Sequence, residues 1–113
     1  MNEVSIWMTY DLGVGGDFRG LYSWFDDHEA IECGNNIAYF KYKYADSIHT
    51  DKEFANSLKQ DLSKNIKFTP SNRIYIVRKS IEKGNTIGTF IVGKRKANPW
   101  EGFGTKPDNT IDA

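Results

Sequence analysis

The stretch YDLGVGGDFR, residues 10–19, places a carboxylate where an apolar, strand-like segment gives way to a glycine-rich turn. A carboxylate at a strand end stands clear of the sheet, so Asp11 can reach a ligand. Magnesium is usually held by one or two carboxylates together with water and phosphate oxygens, so one Asp11 is a partial metal site. Two copies brought together by a two-fold axis would supply enough ligands. The alternative is that Asp11 only caps the turn, because Asp commonly begins turns.

The glycines of this turn do not match a phosphate-binding loop. Such a loop requires a lysine and a hydroxyl residue directly after its last glycine, whereas Gly16 is followed by Asp17 and Phe18. We interpret the glycines as a conformationally permissive turn and Asp17 as the N-cap of the next helix.

The other metal-ligating and nucleophilic residues do not form a recognisable site in the sequence. Residues 26–29, DDHE, point in different directions around a helix end and are interpreted as a solvated terminus. His28 and His49 are expected on the surface, and Cys33 is expected to be a buried structural thiol. No serine lies in a G-x-S-x-G elbow, so hydrolase chemistry of that type has no support. No small-molecule cofactor is indicated.

Basic residues concentrate in the second half of the chain, although the formal net charge is zero. Residues 1–56 hold ten acidic and four basic residues, and residues 57–113 hold five acidic and eleven basic residues. Two clusters lie near the ends of predicted strands, Arg78-Lys79 and Lys94-Arg95-Lys96. Such clusters can contact nucleic-acid phosphates. The alternatives are the acidic half of a second subunit, or ordinary solvated strand ends.

Aromatic and basic residues alternate along residues 39–44, YFKYKY. Phe40, Tyr42 and Tyr44 share one face of a strand, and Lys41 and Lys43 share the other. RNA-recognition sheets use interleaved aromatic and basic residues to stack bases, but the RNP1-type pattern is missing here. Packing in the core or in a dimer interface is the alternative.

Seven elements are predicted to position these groups. The first helix carries an apolar stripe with spacing i, i+3, i+4, i+7, formed by Phe18, Leu21, Tyr22 and Phe25. The second begins with a capping box at Thr50 and Glu53, followed by Phe54, Leu58, Leu62 and Ile66. The predicted strands cover residues 4–10, 30–33, 37–44, 73–80 and 86–96, and the first helix is expected to fade at 28–30.

The order β-α-β-β-α-β-β is that of the ferredoxin-like βαββαβ plan with one added strand. We therefore predict an α+β domain over residues 1–96, with both helices on one face of an antiparallel sheet. The extra C-terminal strand would pair within the chain or across a dimer. Residues 97–113 are predicted to form an irregular tail, docked by Trp100 and Phe103 and mobile at its end.

The chain length and hydropathy pattern predict a single soluble domain. A chain of 113 residues is long enough to bury one core. Apolar runs such as IYIV and FIV fall far short of the roughly 20 residues that a membrane span needs. The start MNEVSIW lacks the basic and apolar regions of a secretion signal. A cytoplasmic location is expected.

A strand that ends in Tyr10-Asp11, followed by a helix that carries Arg19, resembles the small CRISPR-associated endonucleases of the spacer-acquisition complex. It is also similar to their relatives in the virulence-associated D toxin group. Element order and length agree with that family over residues 4–95, whereas the turn after Asp11 lacks the polar and basic residues usual there.

The resemblance implies two ferredoxin-like subunits that pair through their sheets, with the Asp after the first strand binding a divalent metal for phosphodiester cleavage. For this chain it implies that Asp11 holds magnesium or manganese and that Arg19 orients phosphate. Lys94, Arg95 and Lys96 would add background affinity. The leading expectation is a homodimer that binds RNA or DNA, as a metal-dependent ribonuclease or deoxyribonuclease. The competing expectation is a non-enzymatic interaction or scaffold module.

Overall fold

The computed structural model describes residues 1–105, in which two helices pack on a five-stranded antiparallel sheet. The strand order is β2-β3-β1-β4-β5, and each neighbouring pair is antiparallel. In chain order the elements are β1 (Asn2–Asp11), α1 (Phe18–Asp27), β2 (Ile31–Glu32), β3 (Ile37–Tyr44), α2 (Asp51–Asn65), β4 (Arg73–Lys79) and β5 (Thr86–Val92).

The sheet has one covered face and one open face because side chains alternate along each strand. In β1, Ile6 and Met8 are fully buried in the same core cluster as the helix residues, whereas Trp7 between them is 47% exposed. The register carries this division across the sheet, since Trp7 lies opposite Tyr39 of β3 and Val77 of β4. We call the Trp7 side the open face.

Helix α1 begins where its sequence predicts, and Phe18, Leu21 and Phe25 of the predicted stripe lie in or against the core. Asp17 caps it by accepting from the Gly20 amide at 3.0 Å, and it also accepts from the Lys67 amide at 2.9 Å. These bonds, the one from Lys67 first, lower the pKa of the Asp17 carboxyl. Trp24 is buried, whereas Tyr22 is 53% exposed. Placing Tyr22 on the core stripe was therefore wrong.

Helix α2 confirms the capping box and the core stripe. The Glu53 amide donates to the Thr50 hydroxyl at 3.1 Å, and the Thr50 amide donates to the Glu53 carboxylate at 3.0 Å. The predicted apolar stripe is buried: Phe54, Leu58, Leu62 and Ile66. The predicted strand over residues 37–44 is also confirmed.

The predicted strand at 30–33 is shortened to two residues, and this places Cys33 in the turn. Cys33 is exposed, so the expectation of a buried thiol was wrong. Strand β5 pairs with β4 of the same chain and ends at Val92. Gly93 follows with φ +77, a conformation that glycine adopts without strain. The predicted extension of this strand to residue 96 was therefore too long.

The chain after β5 does not pack through its aromatic rings. Trp100 is 69% exposed and Phe103 is 86% exposed, so the expectation that they dock the tail was wrong. Residues 106–113, for which a mobile end was expected, lie outside the described residues. Across residues 1–105, no helix combines the length and the apolar character that crossing a membrane would require.

Arg78 belongs to the interior, contrary to the expectation of a surface cluster with Lys79. Its side chain is 1% exposed, on the covered face with Ile74 and Ile76. Its guanidinium donates to Asp51 at 2.8 Å and lies 4.3 Å from the centre of the Phe54 ring. Arg78 therefore joins β4 to the start of α2 and is not accessible to a surface ligand.

Candidate nucleic-acid interface

Asp11 is the last residue of β1 and lies on the open face, opposite Arg73 of β4. One carboxylate oxygen accepts from the Gly13 amide at 3.2 Å, which is the turn-capping contact. The other lies 3.5 Å from Nη2 of Arg73. The Asp11 side chain is still 51% exposed, so the carboxylate can accept further hydrogen bonds.

A cleft of about 460 Å³ opens beside this carboxylate. We call it the Asp11 cleft. Its volume lies within the range of roughly 300–1,000 Å³ that is usual for small-ligand sites. The residues that matter for its chemistry are Asp11, Asn36, Arg73, Tyr75, Phe90 and Arg95.

Two aromatic rings form one wall of the Asp11 cleft. Tyr75 and Phe90 are cross-strand partners with ring centres 4.8 Å apart. A Cβ atom at Gly88 would collide with the Tyr75 hydroxyl, so glycine at this position of β5 leaves room for the ring. The Arg95 guanidinium carbon lies 5.9 Å from the Tyr75 ring centre and 5.6 Å from that of Phe90. A cation and two rings therefore share this wall.

Arg73 has spare hydrogen-bonding capacity. Its side chain is 29% exposed, and a Cβ at Gly93 would press against its stem. Its Nε is buried and has no hydrogen-bond partner among residues 1–105. A ligand cannot reach this Nε, but the exposed part of the guanidinium contacts Asp11 only at 3.5 Å and can donate to a ligand oxygen.

A second groove continues from the cleft along the chain after β5. It measures about 440 Å³ and shares Arg73, Phe90 and Arg95 with the Asp11 cleft. Lys96 and the exposed Trp100 complete it, and we call it the Trp100 groove. The two grooves together form one track that passes several rings and cations.

The open face carries a second aromatic pair away from the cleft. The ring centres of Trp7 and Tyr39 are 4.9 Å apart, and the Ser5 and Tyr39 hydroxyls lie 2.8 Å apart. Lys41 and Lys43 follow on the same face of β3 and are exposed. The predicted division of this strand is confirmed, since Phe40 and Tyr42 are buried on the opposite face.

The predicted site residues fall into three groups. Arg95 and Lys96 border the track, and Lys94 lies next to them in sequence and is exposed. Lys79 is exposed at the other end of β4, and Arg19 is exposed on α1 and does not line the Asp11 cleft. Their roles in binding stay predictions, whereas the burial of Arg78 removes it from the set.

Sequence reasoning missed Arg73, Tyr75 and Phe90. The predicted fold contained a signal for Arg73. Antiparallel pairing of β1 with β4 places the first residue of β4, Arg73, beside the last residue of β1, Asp11. The two arginines of the cleft come from the start of β4 and from beyond β5, and only the folded sheet brings them together.

The donors of a single chain do not make up a magnesium site at Asp11. Among residues 1–105, no three His, Cys, Asp or Glu residues are grouped closely enough to hold a metal ion. The cleft offers one carboxylate beside two guanidinium groups, and cations do not ligate metals. A metal at this place would need further ligands, either the carboxylate of a second copy or water and phosphate oxygens.

His28 and Tyr42 lie on the helix side, away from the track. Tyr42 donates to Asp61 at 2.7 Å, and burial together with this bond raises the pKa of the Tyr42 hydroxyl. His28 stacks on Trp24 with ring centres 3.7 Å apart, so it is less exposed than its sequence position indicated. These contacts join α1, α2 and β3 and are structural.

Comparison of the chain with protein-family models, with curated proteins and with solved structures gave no match. Function is therefore inferred from the chemistry of the open face.

Proposed function

We propose that this protein binds single-stranded nucleic acid along the track formed by the Asp11 cleft and the Trp100 groove. The observation that carries the proposal is the placement of Arg73 and Arg95 beside the Tyr75–Phe90 pair, in grooves that share these residues. Proteins that bind single strands combine stacking rings with cations that follow the phosphates. Duplex bases present no free ring faces, so the unpaired strand is the expected ligand.

The element order supports a ferredoxin-like assignment for the domain. In a ferredoxin-like βαββαβ domain the spatial strand order is β4-β1-β3-β2. The observed sheet has this strand order, with β5 added beside β4. In such a sheet both helices lie on one face, which leaves the other face for a ligand or a partner.

The first test is binding of labelled single-stranded RNA and DNA across a salt series. Affinity should fall as salt rises, because cationic side chains displace counterions from phosphates. Arg95→Gln should weaken binding. It should also make the slope of log affinity against log salt concentration less steep, by about 0.7 for each phosphate that is no longer neutralised. Lys59→Gln removes an exposed charge from α2 and is the matched control. Equal effects of the two substitutions would contradict binding along the track.

Trp100 tests the stacking contribution. Trp100→Ala should weaken binding by about 1–3 kcal/mol, the usual contribution of a base stacked on an aromatic ring. Phe103→Ala is the control, because Phe103 is more exposed and lines neither groove of the track. Both rings are largely solvent-exposed, so neither change should alter the free energy of unfolding.

Metal-dependent cleavage at Asp11 extends this proposal and is supported by the position of that carboxylate in the cleft. It requires a homodimer that brings two Asp11 carboxylates together. Wild-type protein with magnesium or manganese should then cut labelled RNA or DNA, and Asp11→Asn should lose cleavage but keep binding. Sedimentation as a monomer at micromolar concentration, or equal activity of the two proteins, would rule out the shared site.

A protein-interaction or scaffold role is the second candidate. It is favoured by Trp7 and Ile31, which are apolar and 47% and 59% exposed on or beside the open face. The salt series separates the two functions. Absence of binding to any single strand at low salt would leave the interaction role as the better account.

A further inference from the structure

We infer that the Asp11 cleft reads one unpaired guanine base. This inference rests on the proposed binding of single-stranded nucleic acid and names the base that the cleft selects. Its basis is the adjacency of a carboxylate and a guanidinium, Asp11 and Arg73, which lie 3.5 Å apart in a cleft that is also lined by an aromatic pair.

The Asp11–Arg73 pair presents two acceptors and then a donor. Within residues 1–105, each Asp11 oxygen has one protein contact, to the Gly13 amide or to Arg73, and a carboxylate offers about four acceptor positions. Arg73 presents the donors of its partly exposed guanidinium beside it. A ligand edge with two adjacent N–H donors followed by an oxygen would satisfy all three positions.

Among the standard bases, the Watson–Crick edge of guanine has this order. Its N2 amino group and N1–H are adjacent donors, and O6 beside them is an acceptor. Adenine presents the N1 acceptor and then the N6 amino donor. In the same orientation, its acceptor would face the acceptors of the carboxylate and its donor would face the donors of the guanidinium. Uracil presents one donor between two acceptors. Unstacked bases of single strands are commonly read on this edge.

The remaining walls of the cleft suit the plane of a base. The Tyr75 and Phe90 rings offer apolar surface, and the Arg95 guanidinium lies within 6 Å of both ring centres. Stacking would hold the base while the Asp11–Arg73 pair contacts its edge. The neighbouring Trp100 groove then receives the next nucleotide of the strand, because it shares Arg73, Phe90 and Arg95 with the cleft.

Asp11 in this role makes a base contact that needs no metal ion. Base recognition therefore differs from metal-dependent cleavage in a measurable way, since guanine preference should persist in EDTA. Asparagine in place of Asp11 can still accept from the Gly13 amide. Its NH₂ group, however, replaces one of the two carboxylate oxygens that would accept from the base.

The test uses eight-nucleotide oligouridine and oligothymidine with one central guanosine, inosine or adenosine, titrated in EDTA at low salt. Inosine is the matched ligand, because it differs from guanosine only by the missing N2 amino group. We expect guanosine to bind about tenfold tighter than inosine, as for loss of one hydrogen bond to a charged group. Adenosine should bind more weakly still.

Asp11→Asn should abolish the preference for guanosine over inosine, which is measured as the ratio of the two affinities within the variant itself. Asp27→Asn, at the exposed end of α1, is the control and should retain the preference. Equal affinity for guanosine and inosine in the wild-type protein, or a preference that survives Asp11→Asn, would overturn the inference while leaving the binding function intact. Failure of every oligomer to bind would instead overturn the proposed function, and the inference with it.

Discussion

Replacing Trp24 by alanine is expected to lower the free energy of unfolding by about 3–5 kcal/mol, the usual cost of truncating a buried large aromatic residue. Trp24 is 1% exposed and lies at the centre of an aromatic cluster. Its ring centre is 5.1 Å from that of Phe40 and 6.1 Å from that of Tyr42, and His28 stacks on it. Truncation would leave a cavity where α1 meets β3.

Tyr22→Ala is the matched control for this measurement. Tyr22 lies two residues away on the same helix and is 53% exposed, so its removal should change the unfolding free energy by less than about 1 kcal/mol. Urea unfolding at neutral pH measures both variants. A larger loss at Tyr22 than at Trp24 would mean that α1 presents the side predicted from its periodicity.

Trp24→Phe sharpens the comparison. The indole Nε1 of Trp24 is buried without a hydrogen-bond partner among residues 1–105, which is unfavourable in itself. Phenylalanine removes that unsatisfied donor and leaves a smaller cavity than alanine does. The loss of stability should therefore be clearly smaller for phenylalanine than for alanine.

Replacing Asp51 by asparagine is expected to lower the unfolding free energy by about 3 kcal/mol, because it leaves the buried Arg78 cation without its carboxylate. The carboxylate also accepts from the Ser80 hydroxyl at 2.6 Å and from the Ile81 amide at 2.9 Å. Although burial opposes ionisation, the bonds from Ser80, Arg78 and Ile81 hold the pKa of Asp51 at about 2.

The pH dependence of this effect follows from the direction of the pKa shift. The folded-state pKa of about 2 lies below the ordinary value of 3.8, so ionised Asp51 contributes fully above the ordinary value. That contribution is lost as the pH falls through the folded-state pKa. The stability difference between wild type and Asp51→Asn should be constant from pH 7 to about pH 5 and shrink between about pH 4 and pH 2.

Denaturant unfolding at several pH values measures this difference. Asp46→Asn is the control, since Asp46 is 77% exposed and, in the part of the chain that the structure describes, forms an ion pair with the N-terminal amine alone, at 3.4 Å. Such a surface pair contributes little, about 0–1 kcal/mol. A difference between wild type and Asp51→Asn that stays constant down to pH 2 would show that the charge of Asp51 is not what stabilises the fold.

The sequence by itself determined the order of the elements and most of their limits. The capping box at Thr50, the N-cap at Asp17 and the strand over residues 37–44 depend on hydrogen bonds and periodicities within a few residues. Such local signals can be read without knowing what packs against them. They also placed Asp11 at the end of the first strand, where the cleft is found.

Only the tertiary structure decided which residue flanks the buried stripe of α1 and which basic residues reach the surface. The spacing of Phe18, Leu21 and Phe25 allows either Tyr22 or Trp24 on the flank of the stripe, and the aromatic residues of β3 select Trp24. Arg78 alternates with Ile74 and Ile76 on the covered face, and the Asp51 carboxylate at the start of α2 compensates the burial of its charge.

The candidate site depended on the tertiary structure for the same reason. Asp11 and Arg73 are far apart in sequence and meet because β1 and β4 pair in antiparallel register. Arg95 reaches Tyr75 and Phe90 because the chain turns at Gly93 after β5. Local sequence signals specify each strand, whereas the pairing of the strands specifies which side chains act together.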